Sequence, residues 1–232
     1  MRVSVLIFPG SNCDMDAVHA WSRVLHAKVT PVWHKDHDLA NPDLVFIPGG
    51  FSFGDYLRSG AIARFSPVMQ DVQRFAEKGG YVFGVCNGFQ ILCEMGLLPG
   101  ALLTNKNLRF LCEDVHIRVE NDLSPFTAKL ETKQVLNIPI AHGMGQYFAD
   151  DETLRKLEDQ GQVAFRYCDA AGALTDAANP NGSLNNIAGI TDAGRRVLGM
   201  MPHPERHAEA ELGSIDGAVL LSSIMQHFTK VA

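Results

Sequence analysis

Apolar residues along the first hundred positions alternate between two periodicities. Val3 to Phe8 is a continuous apolar-rich run closed by Pro9-Gly10-Ser11-Asn12, which predicts a buried strand with Ser11 or Asn12 able to cap the next helix. Met15, Val18, Trp21, Ser22 and Leu25 then recur at the spacing of one helical face. Lys28 to Trp33 reads as a second strand, and Pro31, which has no N–H for a ladder, assigns it to an edge or a short element. Leu44 to Ile47 is a third strand, ended by Pro48-Gly49-Gly50. Ile62, Phe65, Val68, Met69, Val72 and Phe75 mark a second helical face that Pro67 starts or kinks. Tyr81 to Val85 is a fourth strand, and its helix, through Phe89, Ile91, Leu92 and Met95, stops near Gly96 and Pro99-Gly100.

Strands alternating with helices imply right-handed crossovers and an α/β fold: an open, mostly parallel twisted sheet with helices on both faces. Loops at the C-terminal strand ends then converge on one crevice. After residue 105 the segments are shorter and more β-like: Phe110 to Glu120, Val135 to Ala141, Val163 to Cys168, Ile187 to Ile190 and Val197 to Met200. Asp192-Ala193-Gly194 predicts a hairpin turn between the last two. Leu154 to Leu157 predicts a short helix, 170–186 a loop, and Ala218, Leu221, Ile224, Met225 and Phe228 a C-terminal helix. No repeat or linker divides the chain, so residues 1–232 are expected to form a single domain.

Composition narrows the class. A net charge of −6 with no basic cluster longer than Arg195-Arg196 argues against nucleic acid or an anionic membrane as partner. Five cysteines, odd in number and without a CxxC pair, argue against a disulfide framework or a structural zinc site. No stretch reaches the roughly 18 apolar residues of a membrane span. The expectation is a cytoplasmic protein.

Candidate chemistry centres on Gly84-Val85-Cys86-Asn87-Gly88. Strand, sharp turn and helix meet here, with small residues two before and two after Cys86, which is the pattern of a nucleophile elbow. A thiol at a helix N-terminus feels unpaired N–H groups that favour its thiolate. A base and its orienter are offered by Met201-Pro202-His203-Pro204-Glu205, where flanking prolines hold His203 out of the helical region. In an extended chain residues two apart point to one side, so His203 and Glu205 are expected to touch. The N–H groups of Asn87 and of Gly50 or Phe51 are candidate oxyanion donors.

Blander readings stand beside these. Cys93, Cys112 and Cys168 sit in apolar segments and read as core. Cys13 lies after the first strand and could line the crevice, but no elbow presents it. His34 with His37, and His203 with His207, have the spacing of metal ligands without a convincing third, so no metal is expected, and His34-Lys35-Asp36-His37-Asp38 reads as a solvated loop. Gly49 to Gly54 has the outer glycines of a P-loop but Asp55 where lysine should stand, and no GxGxxG follows the first strand.

Taken together, Pro9-Gly10-Ser11-Asn12-Cys13-Asp14, the block from Gly49 to Arg58, Cys86-Asn87-Gly88-Phe89-Gln90, Asn179-Pro180-Asn181-Gly182-Ser183 and Met201 to Arg206 resemble the class I, triad-type glutamine amidotransferases. Asn87 and Phe89 look like the branch of that family serving purine synthesis. The resemblance runs over nearly the whole chain. It implies the flavodoxin-like fold of that class and a glutaminase that makes glutamate and ammonia. The ammonia would pass to a large ATP-dependent synthetase subunit, which turns formylglycinamide ribonucleotide into its amidine, with a third small subunit completing the complex. ATP and magnesium would belong to that partner, with no cofactor on this chain. It further implies Cys86 as nucleophile, His203 as base, Glu205 as orienter, Gly50 and Asn87 as oxyanion hole, and Gln90, Phe51, His142 and Gly143 as glutamine-binding residues. One departure is visible: His142-Gly143-Met144-Gly145 has methionine where the family usually carries glutamate. Rival readings are a stand-alone cysteine hydrolase or glycation-repair enzyme on a related fold, and a non-catalytic regulatory subunit.

Overall fold

A computed structural model describes residues 1–229; the last three residues of the expected 1–232 unit lie outside the described residues. The first half is built from β1 (Arg2–Ile7), α1 (Asp14–His19), β2 (Lys28–Trp33), β3 (Leu44–Ile47), α2 (Pro67–Glu77), β4 (Tyr81–Val85) and α3 (Asn87–Glu94). The second half adds β5 (Ala101–Leu103), β6 (Leu111–Val119), β7 (Val135–His142), β8 (Gln146–Phe148), α4 (Asp151–Asp159), β9 (Val163–Cys168), β10 (Ile187–Thr191), β11 (Val197–Met200) and α5 (Asp216–Thr229).

Among the described residues nine strands form one sheet in the order β2-β1-β3-β4-β11-β10-β9-β6-β7, and β5 pairs with β8 apart from it. The strands from β2 to β11 pair in parallel, whereas β10, β9, β6 and β7 continue the sheet antiparallel. Pro31 lies in the edge strand, and Pro67 opens α2 at its first turn, where a missing N–H costs nothing. The decisive connection is β11, which returns from the antiparallel half to lie parallel to β4 with Val85 opposite Met200. Ile47 lies opposite Gly84 on the other side of β4. Three strand ends thus finish level, and the loops beginning at Pro48, Cys86 and Met201 leave the sheet together.

Both faces are covered. On one, Trp21, Phe46, Phe83 and Phe126 form a chain of ring contacts, with Tyr81 against Phe228 of α5. On the other, α3 lies so close to the sheet that a Cβ at Gly88 would stand 2.0 Å from the Ile47 carbonyl oxygen, and one at Gly199 would stand 2.1 Å from the Phe89 ring.

Several local expectations are corrected. After β1 the expected Trp21 and Leu25 are buried, but Cys13, Ala17 and Ala20 complete the face and Met15 is exposed. Small alanines let this helix approach the sheet, and a π turn at Ala20–Val24 closes it. Neither Ser11 nor Asn12 caps α1, whose N-cap is Cys13 with no side-chain bond; Ser11 Oγ instead accepts from Phe8 N. Ile62 and Phe65 precede α2 in a separate 3₁₀ turn, and Phe65 is exposed. Cys112 is exposed, because the end of β6 extends past β9 and pairs only with β7. His34 is buried, packed against the rings of Trp33 and Phe53, while its loop neighbours 35–38 are exposed.

Candidate active site

Cys86 occupies the single residue between β4 and α3, at φ 50 and ψ −105. Positive φ is costly for a side chain with a Cβ and persists only where neighbours enforce it. Here the Cys86 N–H donates to the Met200 carbonyl at 2.8 Å, which ties the elbow to the end of β11. The nearly buried thiol faces the Ala141 carbonyl at 3.7 Å. Asn87, as the first residue of α3, presents an N–H with no acceptor inside the helix.

His203 leaves β11 between two prolines at φ −101 and ψ 88, outside the helical region as its neighbours dictate. Its N–H donates to Pro139 O at 2.8 Å. The pair with Glu205 forms by a different route from the extended chain expected: Pro204–Arg206 is a 3₁₀ turn that His203 caps. That turn folds Glu205 back so that His203 Nδ1 donates to Glu205 Oε1 at 2.7 Å, with both side chains buried. Burial opposes a charge on the imidazole, but the Glu205 carboxylate and the Cys86 sulfur outweigh it and hold His203 well above the ordinary histidine value. A Cβ on Gly49 would lie 2.4 Å from His203 Cε1 and 3.2 Å from Cys86 Cβ, so glycine is what lets the three strand-end loops meet.

Cys13 joins them from the β1 end. Its N–H reaches Gly49 O at 3.4 Å, and its Sγ, a His203 ring nitrogen and a Glu205 oxygen lie within 4.8 Å of one another. Burial raises the Cys13 thiol above the usual range, with contact to His203 working against the rise.

The Gly49-Gly50 loop is held by a β-bridge between Ser11 and Gly50. Phe51 N–H is taken by Gly10 O at 3.1 Å, so of the two candidate oxyanion donors in this loop that one is already engaged. Beneath it runs a polar chain: Asn87 Oδ1 accepts from Ser52 N at 3.3 Å, and Asn87 Nδ2 donates to Asp55 Oδ1 at 3.3 Å and to Gln90 Oε1 at 2.8 Å. Gln90 Nε2 donates to Met144 O at 2.6 Å. Both ends of the Gln90 amide are therefore used internally, linking the elbow to the segment 142–145. Burial raises the Asp55 carboxyl.

In that segment His142 Nδ1 donates to Asn105 Oδ1 at 3.0 Å, so its Nε2 carries a lone pair, buried and without a hydrogen-bond partner. Burial, with His203 nearby, pushes His142 down to about 3. Asn105 also accepts from Gly145 N and donates to His142 O. Asn181 Nδ2 donates to Gly145 O, and Ser183 Oγ accepts from Tyr147 N. Asn105 and Asn181 were missed as site-building residues; the motif Asn179 to Ser183 signalled the second, and nothing local signalled Asn105. A Cβ on Gly143 would meet the Phe110 ring at 3.8 Å, and Phe51 stacks obliquely on Phe110, their centroids 6.1 Å apart. Met144, in the place of the expected glutamate, meets Ser59 Oγ at 3.4 Å through sulfur. His207 turns from His203 to Asn137 O and Asp114.

The model of the CobB/CobQ-like glutamine amidotransferase domain matches residues 1–223. Phosphoribosylformylglycinamidine synthase subunit PurQ of Salinibacter ruber is 54% identical over 231 residues, covering 100% of this chain and 98% of that protein. The same subunit of Koribacter versatilis is 55% identical over 99% of this chain and 100% of its own length. A chain of the structure of PurLQS from Thermotoga maritima superposes with a TM-score of 0.85 at 40% identity, covering 98% of each.

Proposed function

The chain belongs to the family of the CobB/CobQ-like glutamine amidotransferase domain, and from relatives matching it end to end we infer that it is the glutaminase subunit of phosphoribosylformylglycinamidine synthase. It hydrolyses glutamine to glutamate and ammonia and works with PurL and PurS subunits, where the ammonia is used.

In our reading the Cys86 thiolate attacks the side-chain amide carbon of glutamine. The amide oxygen becomes an oxyanion facing the N–H groups of Gly50 and Asn87. The His203 imidazolium gives its Nε2 proton to the departing nitrogen, so ammonia leaves and a thioester remains. The neutral imidazole then takes a proton from water, whose oxygen attacks the thioester; glutamate departs and the thiolate–imidazolium pair is restored. Glu205 holds the Nδ1 proton throughout, leaving Nε2 to do the transfers. The amide-to-thioester exchange needs no cofactor on this chain, and ATP with magnesium acts on the synthetase. Free thiols and phosphorylated metabolites fit a cytoplasmic setting, and among the described residues no helix is long and apolar enough to cross a membrane.

Ammonia must leave without being protonated by solvent, so the partner has to cover the crevice. Exposed Phe51, Tyr56, Leu57, Leu108 and Phe110 supply an apolar rim suited to that contact. Phe53, Asp55 and Leu57 all carry positive φ, so a strained loop connects this rim to Asn87 through Asp55. Partner contact would thereby tune the oxyanion donors.

The observation that carries this reading is a thiol at a strained elbow meeting a histidine locked by a buried carboxylate at 2.7 Å. A glutamine-mimicking electrophile should label Cys86 with one equivalent, and Cys86→Ala should abolish labelling together with glutamine-dependent amidine formation. Labelling of Cys13 instead would refute the assignment of the nucleophile. Full turnover with small amides other than glutamine would refute the substrate.

A further inference from the structure

Cys13 meets the reacting groups, yet glutamine hydrolysis as described gives it no task. It is 3% exposed, at a helix N-cap where its side chain caps nothing. Its sulfur, an imidazole nitrogen of His203 and a carboxylate oxygen of Glu205 lie within 4.8 Å of one another. Glu205 Oε2 is buried without a hydrogen-bond partner on a side chain that is 0% exposed, while His203 Nε2, likewise unpaired, is the nitrogen that glutamine hydrolysis uses. Buried polar atoms left unpaired in this way are costly and mark places where a ligand can satisfy them.

Thiolate, imidazole and carboxylate together form a donor set characteristic of zinc. With metal–ligand distances of about 2.0–2.3 Å, two ligand atoms of a tetrahedral site stand about 3.5 Å apart. The three donor atoms, all within 4.8 Å of one another, are at most about 1.3 Å beyond that spacing, a gap that side-chain rotation can close. An approach exists as well: a cavity of about 430 Å³ reaches Glu205 and is lined also by Asp16, His19, Arg206, Glu209 and Leu212. Its three carboxylates outnumber the Arg206 guanidinium, which is itself paired with Asp16 at 3.1 Å.

We propose that Cys13, His203 and Glu205 form an inhibitory zinc site that switches the glutaminase off. The inference rests on the reading of His203 as the base. Zinc displaces the Cys13 thiol proton to solvent, and no electron is transferred. Glu205 sits on the Nδ1 edge of the ring, so a zinc held by all three residues binds Nδ1. It displaces the hydrogen bond to Glu205 and moves the ring proton to Nε2, so no lone pair faces Cys86 to accept the proton from water.

The test uses the full chain after chelator treatment, titrated with Co²⁺ as an optical probe and then with Zn²⁺ in competition. One equivalent of Co²⁺ is expected to give tetrahedral d–d bands and a thiolate-to-cobalt charge-transfer band, both abolished by Zn²⁺. Cys13→Ala should remove the charge-transfer band and weaken zinc binding by at least about tenfold, the scale on which even outer partners of a metal site act. Cys13→Ser, which preserves the side chain's size, serves if the alanine variant fails to fold. Cys112→Ser, which removes the exposed thiol, and Cys86→Ala should both keep the band. In parallel, zinc should suppress glutaminase turnover of the parent chain mixed with its synthetase partners, a chelator should restore it, and Cys13→Ser should need at least tenfold more zinc. A charge-transfer band that survives loss of Cys13, or one lost with Cys86 or Cys112 instead, overturns the site. Turnover indifferent to zinc at concentrations that fill the site overturns the inhibition. Failure of the glutaminase reading would look different: no turnover in metal-free enzyme while the Cys13-dependent band persists.

Discussion

Glu205 touches His203 through one hydrogen bond of 2.7 Å, so exchanging a single oxygen isolates what that bond does. In Glu205→Gln the amide can present its NH₂ to Nδ1, which favours the opposite tautomer and removes the charge supporting the imidazolium. Steady-state glutaminase assays with the synthetase present should show kcat lowered by about 10³–10⁴, with a much smaller change in KM, by analogy with the acid-to-amide change in a serine triad. His142 makes a second, independent prediction. Folded His142 takes up a proton only near pH 3, whereas the unfolded chain takes one up near 6.5. Between those values the unfolded state binds more protons, so this residue makes stability fall as pH falls and leaves it constant above about 6.5. The loss by pH 3 is on the order of 4 kcal/mol at most. Urea unfolding as a function of pH should show a shallower acid limb for His142→Asn than for the parent; identical limbs would refute the assignment. At this scale Cys86, His203 and Glu205 could be picked out because glycine and proline neighbours advertise unusual backbone. Asn105 could not, since its work depends on where residues 142 to 145 arrive.

Among the elements, α3 depends on two glycines that remove side chains from its contact with β3 and β11. Gly88→Ala would push a methyl carbon into the Ile47 carbonyl oxygen, a 2.0 Å approach that the sheet cannot absorb without shifting the helix. Overpacking of this kind costs about 1–3 kcal/mol, a drop of about 2–12 °C in melting temperature for a chain of this size. Because Cys86 begins that helix, glutaminase turnover should fall further than the stability loss explains. Calorimetry alongside kinetics measures both, and an unchanged kcat with a lowered melting temperature would show that the elbow tolerates the shift. Strands and helices with strong periodicity were legible in advance, including the edge position of β2 and the start of α2 at Pro67. The short β5 and β8 were not, because three residues carry too little pattern. The face after β1 was misread at Met15, which is exposed, while alanines at 17 and 20 turn inward beside the expected Trp21 and Leu25.

For the whole molecule, the proposed reaction needs a second body to seal the crevice, and the apolar rim is the proposed place of contact. Leu57 is 89% exposed, so Leu57→Asp should change the stability of the isolated chain by no more than about 0.5 kcal/mol. Desolvating the new carboxylate at the interface should weaken assembly by about tenfold or more. Amidine formation from glutamine should then fall while synthesis from added ammonia by the partner is unaffected. Equal loss with both nitrogen sources would argue against the rim as the docking surface. Legibility was poorest at this scale. The chain's hydropathy showed alternating elements in the first half and short strands in the second, but not that the second half would extend the same sheet.

Taken alone, the sequence determined the chemistry available: a thiol after a glycine-flanked strand, a histidine between prolines with glutamate two residues on, and a pair of glycines able to offer N–H donors. These are local properties, set by backbone freedom and residue type within a few positions. Only the tertiary structure decided their meeting. The return of β11 to pair in parallel with β4 brings residues more than a hundred positions apart to one sheet end, and the 3₁₀ turn, not an extended chain, folds Glu205 onto His203. Strand pairing of that range is fixed by burial of the whole sheet rather than by any segment's own pattern. The same long-range closure brought Cys13 against His203 and Glu205, a neighbourhood that no spacing along the chain could have announced.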